Sequence, residues 1–141
     1  MEQKIVTSIE QSKKLLELGL DPKTANMLWA KLSITDDYPV TLMVKAFSGS
    51  MQFQGEDLMI PAWSLSALLG LMPKDRFIDI ELSYGGFSVD PLEYIEKWFI
   101  SFENEKDYES DIKTFSSEHP IDVVFEMVCW LLENGFIEKV K

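Results

Sequence analysis

The chain has 141 residues, of which 46% are hydrophobic and 12% aromatic, so it is long and apolar enough to fold as one globular domain over residues 1–141. Its 24 acidic residues outnumber its 13 basic ones and give a formal net charge of -11. Such a charge repels phosphate groups and anionic membrane surfaces, which argues against direct binding to nucleic acid or to a membrane.

Cysteine usage and hydropathy indicate the compartment. Cys129 is the only cysteine, so the chain cannot form an intramolecular disulfide. The first residues lack the apolar core of a signal peptide, and no later run reaches the roughly 18 apolar residues of a membrane span. We therefore expect a cytoplasmic protein.

Residues 7–18 predict the first helix. Thr7 is the expected N-cap, and Glu10 follows three residues later in the capping-box arrangement. Gly19 is placed to end the helix in a left-handed conformation. The residues expected to face the core are Ile9, Leu15 and Leu16.

A second, shorter N-terminal helix is predicted directly after the first. Asp21 is its expected cap, and Pro22 occupies the first turn, where a missing N–H group costs nothing. This helix is expected to continue to about Trp29. The two helices would form a helical hairpin or corner.

The middle of the chain predicts a strand followed by a central helix. Val40, Leu42 and Val44 alternate with polar or longer residues as in a half-buried strand, and residues 48–50 and 55–57 are typical of turns. Residues 61–73 then predict a short apolar helix bracketed by two prolines and capped by Ser64. Its apolar stripe is Leu65, Leu68, Leu69 and Met72.

Residues 78–84 show the clearest strand alternation in the chain. Gly85 and Gly86 can supply the positive φ of a type I′ turn, so residues 87–89 are expected to return antiparallel.

The next segment allows two interpretations. We favour a turn at Asp90-Pro91, with one helical turn over residues 91–96 left open, and a strand over residues 97–103. An uninterrupted helix over residues 91–102 is the alternative. Residues 104–119 are polar and acidic and predict a solvated loop.

A final helix is predicted from Pro120 onwards, and Asn134-Gly135 is placed to end it. Its apolar residues cover most of the circumference, so the helix is expected to be largely buried. The fold class predicted from all elements is α+β: two N-terminal helices, a small mostly antiparallel sheet of three to five strands, a short central helix and a buried C-terminal helix.

Residues able to carry chemistry are few. His119 is the only histidine, which excludes a multi-histidine metal site, and no Gly-x-Ser-x-Gly segment exists to partner it. We expect His119 to cap the last helix and Cys129 to be a small buried apolar residue. No catalytic residue and no cofactor are predicted.

Asp107, Glu109, Asp111 and Glu118 match positions 1, 3, 5 and 12 of an EF-hand loop. Position 6, however, requires glycine and is Ile112 here. The match therefore predicts no calcium site, and weak divalent-ion binding by this acidic loop stays open.

Three carboxylate pairs and four tryptophans complete the candidates. The pairs are Asp36/Asp37, Glu56/Asp57 and Asp79/Glu81, and they are expected on solvated faces. The tryptophans are expected mostly in the core. Because tryptophan is common at the centre of interfaces, Trp63 is retained as the candidate interface residue.

Three segments resemble a group of small uncharacterised proteins of gut-bacterial genomes, phages and mobile elements. They are residues 7–27 (TSIEQSKKLLELGLDPKTANM), 60–73 (IPAWSLSALLGLMP) and 120–137 (PIDVVFEMVCWLLENGFI), together somewhat over a third of the chain. The group has no assigned activity or catalytic residues. The resemblance therefore implies that the protein is encoded in the accessory genome, and it assigns no catalytic role to any residue.

The sequence predicts a complete globular fold but no set of catalytic or metal-binding residues. This combination favours a non-catalytic accessory protein that binds an unknown protein partner. One alternative is an acidic mimic of nucleic acid that inhibits a DNA-binding enzyme. The other is an enzyme that uses carboxylates and a divalent metal ion. Homodimerisation is also compatible with the apolar last helix.

Overall fold

The computed structural model describes residues 4–31, 40–44, 58–89, 92–106 and 109–140. In these ranges the chain is α+β, as predicted. Its helices are α1 (Ile9–Glu17), α2 (Leu65–Leu69) and α3 (Pro120–Glu133), with one 3-10 turn at Pro22–Thr24. Its strands are β1 (Met27–Lys31), β2 (Thr41–Val44), β3 (Leu58–Ala62), β4 (Ile78–Val89), β5 (Leu92–Lys106) and β6 (Glu109–Ser117).

The described strands form two antiparallel sheets of three strands each. In the first sheet β1 lies between β2 and β3, and in the second sheet β5 lies between β4 and β6. The second sheet is a meander, because its strands follow one another in the chain.

Helix α1 begins one residue later than predicted. Its N-cap is Ser8, whose Oγ accepts a hydrogen bond from the backbone N–H of Gln11 at 3.1 Å. The Gln11 side chain accepts from the Ser8 N–H in return, which completes a capping box with Gln11 in place of Glu10. Thr7 is instead fully buried, and Gly19 has the predicted positive φ.

The predicted second N-terminal helix is wrong. Asp21 does cap a turn, since its carboxylate accepts from the Lys23 N–H at 2.9 Å, but the turn is a single 3-10 turn. From Met27 the chain is a strand in which Leu28 and Ala30 are buried and their neighbours are half-buried. Burial of every second residue is typical of a β-strand. Pairing of β1 with β2 and β3 therefore outweighs the helix-start pattern at Asp21-Pro22.

The predicted strand at residues 40–44 is confirmed as β2, while the predicted turns at 48–50 and 55–57 lie outside the described residues. Ser64 caps the central helix as predicted and accepts from the Ala67 N–H at 3.2 Å. The helix itself is shorter than residues 61–73. Pro61 belongs to β3, and α2 ends at Leu69.

Gly85 and Gly86 do not form the predicted hairpin turn. Strand β4 continues through them, and the register shifts between the pairs Tyr84↔Trp98 and Gly86↔Ile95. One residue of β4 therefore faces two residues of β5, which is a β-bulge, and Gly85 uses its φ of 79° there. The last pair described between β4 and β5 is Val89↔Leu92. The predicted turn residues Asp90 and Pro91 lie outside the described residues.

The strand predicted over residues 97–103 is longer and runs from Leu92 to Lys106, which overturns the alternative helix over residues 91–102 and the helical turn considered for residues 91–96. The loop predicted over residues 104–119 is also wrong, because residues 109–117 form β6 and pair with β5 along their whole length. A polar, charged sequence is usual for an edge strand, where it discourages pairing with other chains.

Helix α3 confirms the predicted buried C-terminal helix, and Gly135 ends it with a φ of 78°. The helix packs against β5, β6 and α2. Its fully buried residues share one core with Trp63, Leu68, Ile100 and Phe102. Those residues of α3 are Ile121, Val123, Val124, Met127, Val128, Leu131 and Leu132.

No helix in the described part of the chain has the length and apolarity needed to span a membrane.

A substitution at Phe102 tests how much this core contributes to the free energy of unfolding. Its ring is fully buried and lies 4.8 Å from the Trp130 ring and 4.9 Å from the Phe136 ring. We expect Phe102→Ala to lower the free energy of unfolding by about 3–5 kcal/mol, because it removes apolar contacts and leaves a cavity. Urea denaturation measures the change. Phe87→Ala, at a side chain that is 71% exposed, should lower stability by about 1 kcal/mol or less, because it loses only a cross-strand ring contact, and equal losses for the two variants would contradict the prediction.

Candidate functional site

The predicted chemical residues do not form a catalytic or metal site in the described ranges. His119 is the N-cap residue of α3, but its side chain makes no capping hydrogen bond. Among the described residues, no group of three or more His, Cys, Asp and Glu side chains is arranged to hold a metal ion. Of the EF-hand-like residues, Glu109 and Asp111 lie on β6, and Asp107 is outside the described ranges.

One of the three predicted carboxylate pairs lies within the described residues. Asp79 and Glu81 are exposed on β4, where they pair in register with Glu103 and Ser101 of β5. The other two predicted pairs, Asp36/Asp37 and Glu56/Asp57, lie outside the described residues.

Trp63, the predicted interface residue, has no exposed surface. Its indole N–H donates to the Thr24 Oγ1 at 2.9 Å, and its backbone N–H donates to the Thr7 Oγ1 at 3.0 Å. The residue follows β3 directly and lies in the core beside α3. In this structure Trp63 cannot contact a partner from the surface, so the candidate interface must be sought elsewhere.

Cys129 is half-buried on α3, in keeping with the predicted small apolar role. Burial is the main cause that raises the pKa of its thiol from 9.0 to about 12. The negative charge of Glu133 raises the pKa further, and the positive charge of Lys14 opposes the shift. The thiol is therefore protonated at neutral pH and is a poor nucleophile.

The most exposed apolar surface in the described residues is the distal half of the β4–β5 hairpin. The core-packing residues of these two strands end at Leu82 and Trp98. Beyond them four large side chains are between 47% and 82% exposed. These four residues, which we call the hairpin cluster, are Tyr84, Phe87, Leu92 and Tyr94.

Cross-strand ring contacts hold the three aromatic members of the hairpin cluster in place. Phe87 and Tyr94 are direct partners in the β4–β5 register, and their rings lie 5.1 Å apart. Tyr84 packs against Trp98 at 5.2 Å in an edge-to-face arrangement. Such pairs stabilise a sheet and fix the side chains, which lowers the entropy that a partner would have to remove on binding.

Exposed charged residues are neighbours of the hairpin cluster along β5. Glu93 and Glu96 are exposed, and Lys97 is the exposed basic residue next to Glu96. A partner that approaches this part of β5 would meet charged as well as apolar side chains.

Sequence reasoning missed this cluster because exposed and buried aromatic residues look alike in a sequence. The available signal in the sequence was the large apolar residues on both sides of Asp90-Pro91, namely Phe87, Leu92 and Tyr94.

Comparisons with protein-family models, with curated proteins and with solved structures found no match to this chain.

The pKa of Cys129 predicts slow alkylation. At about pH 8 we expect iodoacetamide to modify the native thiol about three orders of magnitude more slowly than the same thiol in urea, because the thiolate is the reacting form. The pKa of the Cys129 thiol is higher in the folded protein than in the unfolded chain. The thiol therefore contributes its full stability below the unfolded pKa, and this contribution is lost as the pH rises towards 12. Mass spectrometry of the alkylated fraction gives both rates, and equal rates would contradict the prediction.

Gly85 and Gly135 form a matched pair of glycines with φ of 79° and 78°. A Cβ atom at Gly85 would collide with the Tyr94 hydroxyl, whereas nothing lies within 4 Å of one at Gly135. We expect alanine to cost about 1–2 kcal/mol at either position through the left-handed backbone. Only Gly85→Ala should displace the Tyr94 ring and weaken the Phe87–Tyr94 NOEs. Unchanged NOEs in that variant would show that the bulge does not position Tyr94.

Proposed function

We propose that this chain is a non-catalytic accessory protein that binds another protein through the hairpin cluster. The single observation that carries the proposal is the set of four large, exposed side chains at the distal end of the β4–β5 hairpin, of which Phe87 and Tyr94 are in ring contact. Isolated exposed apolar residues are common on protein surfaces, but a group of aromatic residues held by a rigid element is typical of interfaces.

The proposal includes the setting expected from the sequence: a cytoplasmic protein of phage or mobile-element origin. The alternatives have less support. A metal-dependent enzyme needs clustered ligands, and the described residues offer no such cluster. A nucleic-acid mimic needs a regular array of carboxylates, whereas the 24 acidic residues here are spread along the chain.

The experiment compares proteins captured from an extract of the source organism by the wild-type chain and by two double variants. Phe87→Ser with Leu92→Ser removes the two most exposed members of the hairpin cluster. Ile5→Ser with Val44→Ser is the matched control, because those side chains are 62% and 44% exposed and lie outside the hairpin. We expect a partner at near-equal stoichiometry whose recovery falls about tenfold or more for the hairpin variant alone.

Quantitative mass spectrometry gives the recovery, and circular dichroism verifies that all three proteins are folded. Equal recovery by both variants would assign the interface to another surface. Recovery of no protein, combined with a homodimer in light scattering that the hairpin variant dissolves, would replace the foreign partner by a second copy of the chain.

A further inference from the structure

The C-terminal end of α3 carries an asparagine that is followed by glycine, the sequence in which asparagine side chains lose ammonia most readily. The chain has three asparagines, and the other two, Asn26 and Asn104, precede larger residues. Glycine has no side chain to hinder its backbone nitrogen, so the Gly135 nitrogen can approach the side-chain carbonyl carbon of Asn134. Asparagine is a thermolabile residue because of this reaction.

The site is open to water. Asn134 and Gly135 are both exposed. Apart from the adjoining residues, no atom lies within 4 Å of the position that a Cβ atom of Gly135 would occupy. The water that removes the proton from the attacking nitrogen, and that later opens the cyclic product, therefore has access to the reacting atoms.

Hydrogen bonds in the last turn of α3 hold both reacting groups. The Asn134 side-chain amide donates to the Trp130 carbonyl at 2.8 Å, and the Asn134 backbone N–H donates to the same carbonyl at 3.0 Å. The Gly135 N–H donates to the Leu132 carbonyl at 3.4 Å. While this turn is closed, the amide of Asn134 is directed back along the helix, and the nitrogen that must attack it retains its proton.

Phe136 anchors the chain directly beyond the site. Its N–H donates to the Leu131 carbonyl at 2.9 Å, and its ring lies 4.9 Å from the Phe102 ring and 5.7 Å from the Trp130 ring. The attack requires rotation about the backbone of Asn134, which has a ψ of 8° and carries Phe136 with it. Phe136 must therefore leave its aromatic contacts before the reaction can proceed.

We propose that Asn134 is a site of spontaneous deamidation whose rate in the native protein is set by the Phe136 anchor. The Gly135 nitrogen attacks the Asn134 Cγ, a C–N bond forms, the nitrogen loses its proton, and ammonia leaves. Water then opens the cyclic imide at one of its two carbonyl carbons. One opening gives aspartate, and the other gives isoaspartate.

The products weaken the structure that limits their formation. A carboxylate cannot donate the hydrogen bond that Asn134 gives to Trp130, and it adds negative charge next to Glu133 at the C-terminal end of a helix. Lys113 of β6 lines the cavity beside Asn134 and offsets part of that charge. Isoaspartate also adds a methylene group to the backbone before Phe136. The modified protein is therefore less stable than the unmodified one.

Peptide mass spectrometry of the full chain, incubated at mildly alkaline pH, gives the fraction of each asparagine that is converted. We expect conversion at Asn134 well ahead of Asn26 and Asn104. The rate at Asn134 should be about tenfold or more lower in the native protein than in guanidinium chloride, where the last turn of α3 is absent. Gly135→Ala should slow the reaction in the denatured chain, because its side chain hinders the attacking nitrogen.

Two core variants separate the anchor from a general loss of stability. Phe136→Ala removes the anchor, and Leu82→Ala shortens a partly buried core residue on β4, the edge strand opposite β6. We expect native deamidation about tenfold faster in Phe136→Ala and less than about twofold faster in Leu82→Ala. Circular dichroism verifies that both are folded. Phe136→Leu, which keeps most of the apolar volume, replaces Phe136→Ala if that variant does not fold.

Asn134→Asp reproduces one of the two products. We expect it to lower the melting temperature by about 2–4 °C, because it loses the hydrogen bond to Trp130.

The proposal is overturned if Asn134 is converted as fast in the native protein as in denaturant, or if it is not converted in denaturant at all. It is also overturned if Phe136→Ala and Leu82→Ala change the native rate equally, since the anchor would then have no specific part in it.

Discussion

The segment before α1 is joined to the first sheet through the hydrogen bonds between Thr7 and Trp63. The Thr7 N–H donates to the Trp63 carbonyl at 2.9 Å, and the Trp63 N–H donates to the Thr7 Oγ1 at 3.0 Å. The Trp29 indole N–H donates to the Thr7 carbonyl at 2.9 Å, which fixes β1 to the same point. Both Thr7 and Trp63 are fully buried, so these polar groups are shielded from water and must satisfy one another.

This arrangement explains why Trp63, the interface residue predicted from the sequence, lies in the core. Trp63 leaves β3 of the first sheet and enters the core formed by α3 and the second sheet. Its ring thereby joins two layers that have no strand pairing with each other among the described residues. The most exposed apolar side chains described are consequently found beyond the core, in the hairpin cluster.

Elements with strong local signals could be predicted from the sequence. Pro120, Asn134-Gly135 and the apolar run between them define α3, and the hydroxyl of Ser64 defines the start of α2. Strands β1 and β6 could not be predicted, since their state depends on pairing with distant residues. β1 needs β2 and β3 on either side, and β6 follows β5 in a register such as Ile100↔Phe115. The hairpin cluster could not be predicted, because its exposure depends on how far β4 and β5 extend past the core, and no short sequence pattern encodes that distance.

The position of α3 along the chain has a consequence for synthesis. Every element that packs on α3 precedes it, so the ribosome releases Trp63, Ile100 and Phe102 before the helix that buries them. At about 5–20 residues per second, the nascent chain carries this apolar surface for several seconds. The meander of the second sheet can form from neighbouring segments in that interval, but its core face has no cover until α3 emerges. The nascent protein is thus a natural client for chaperones that bind exposed apolar strands.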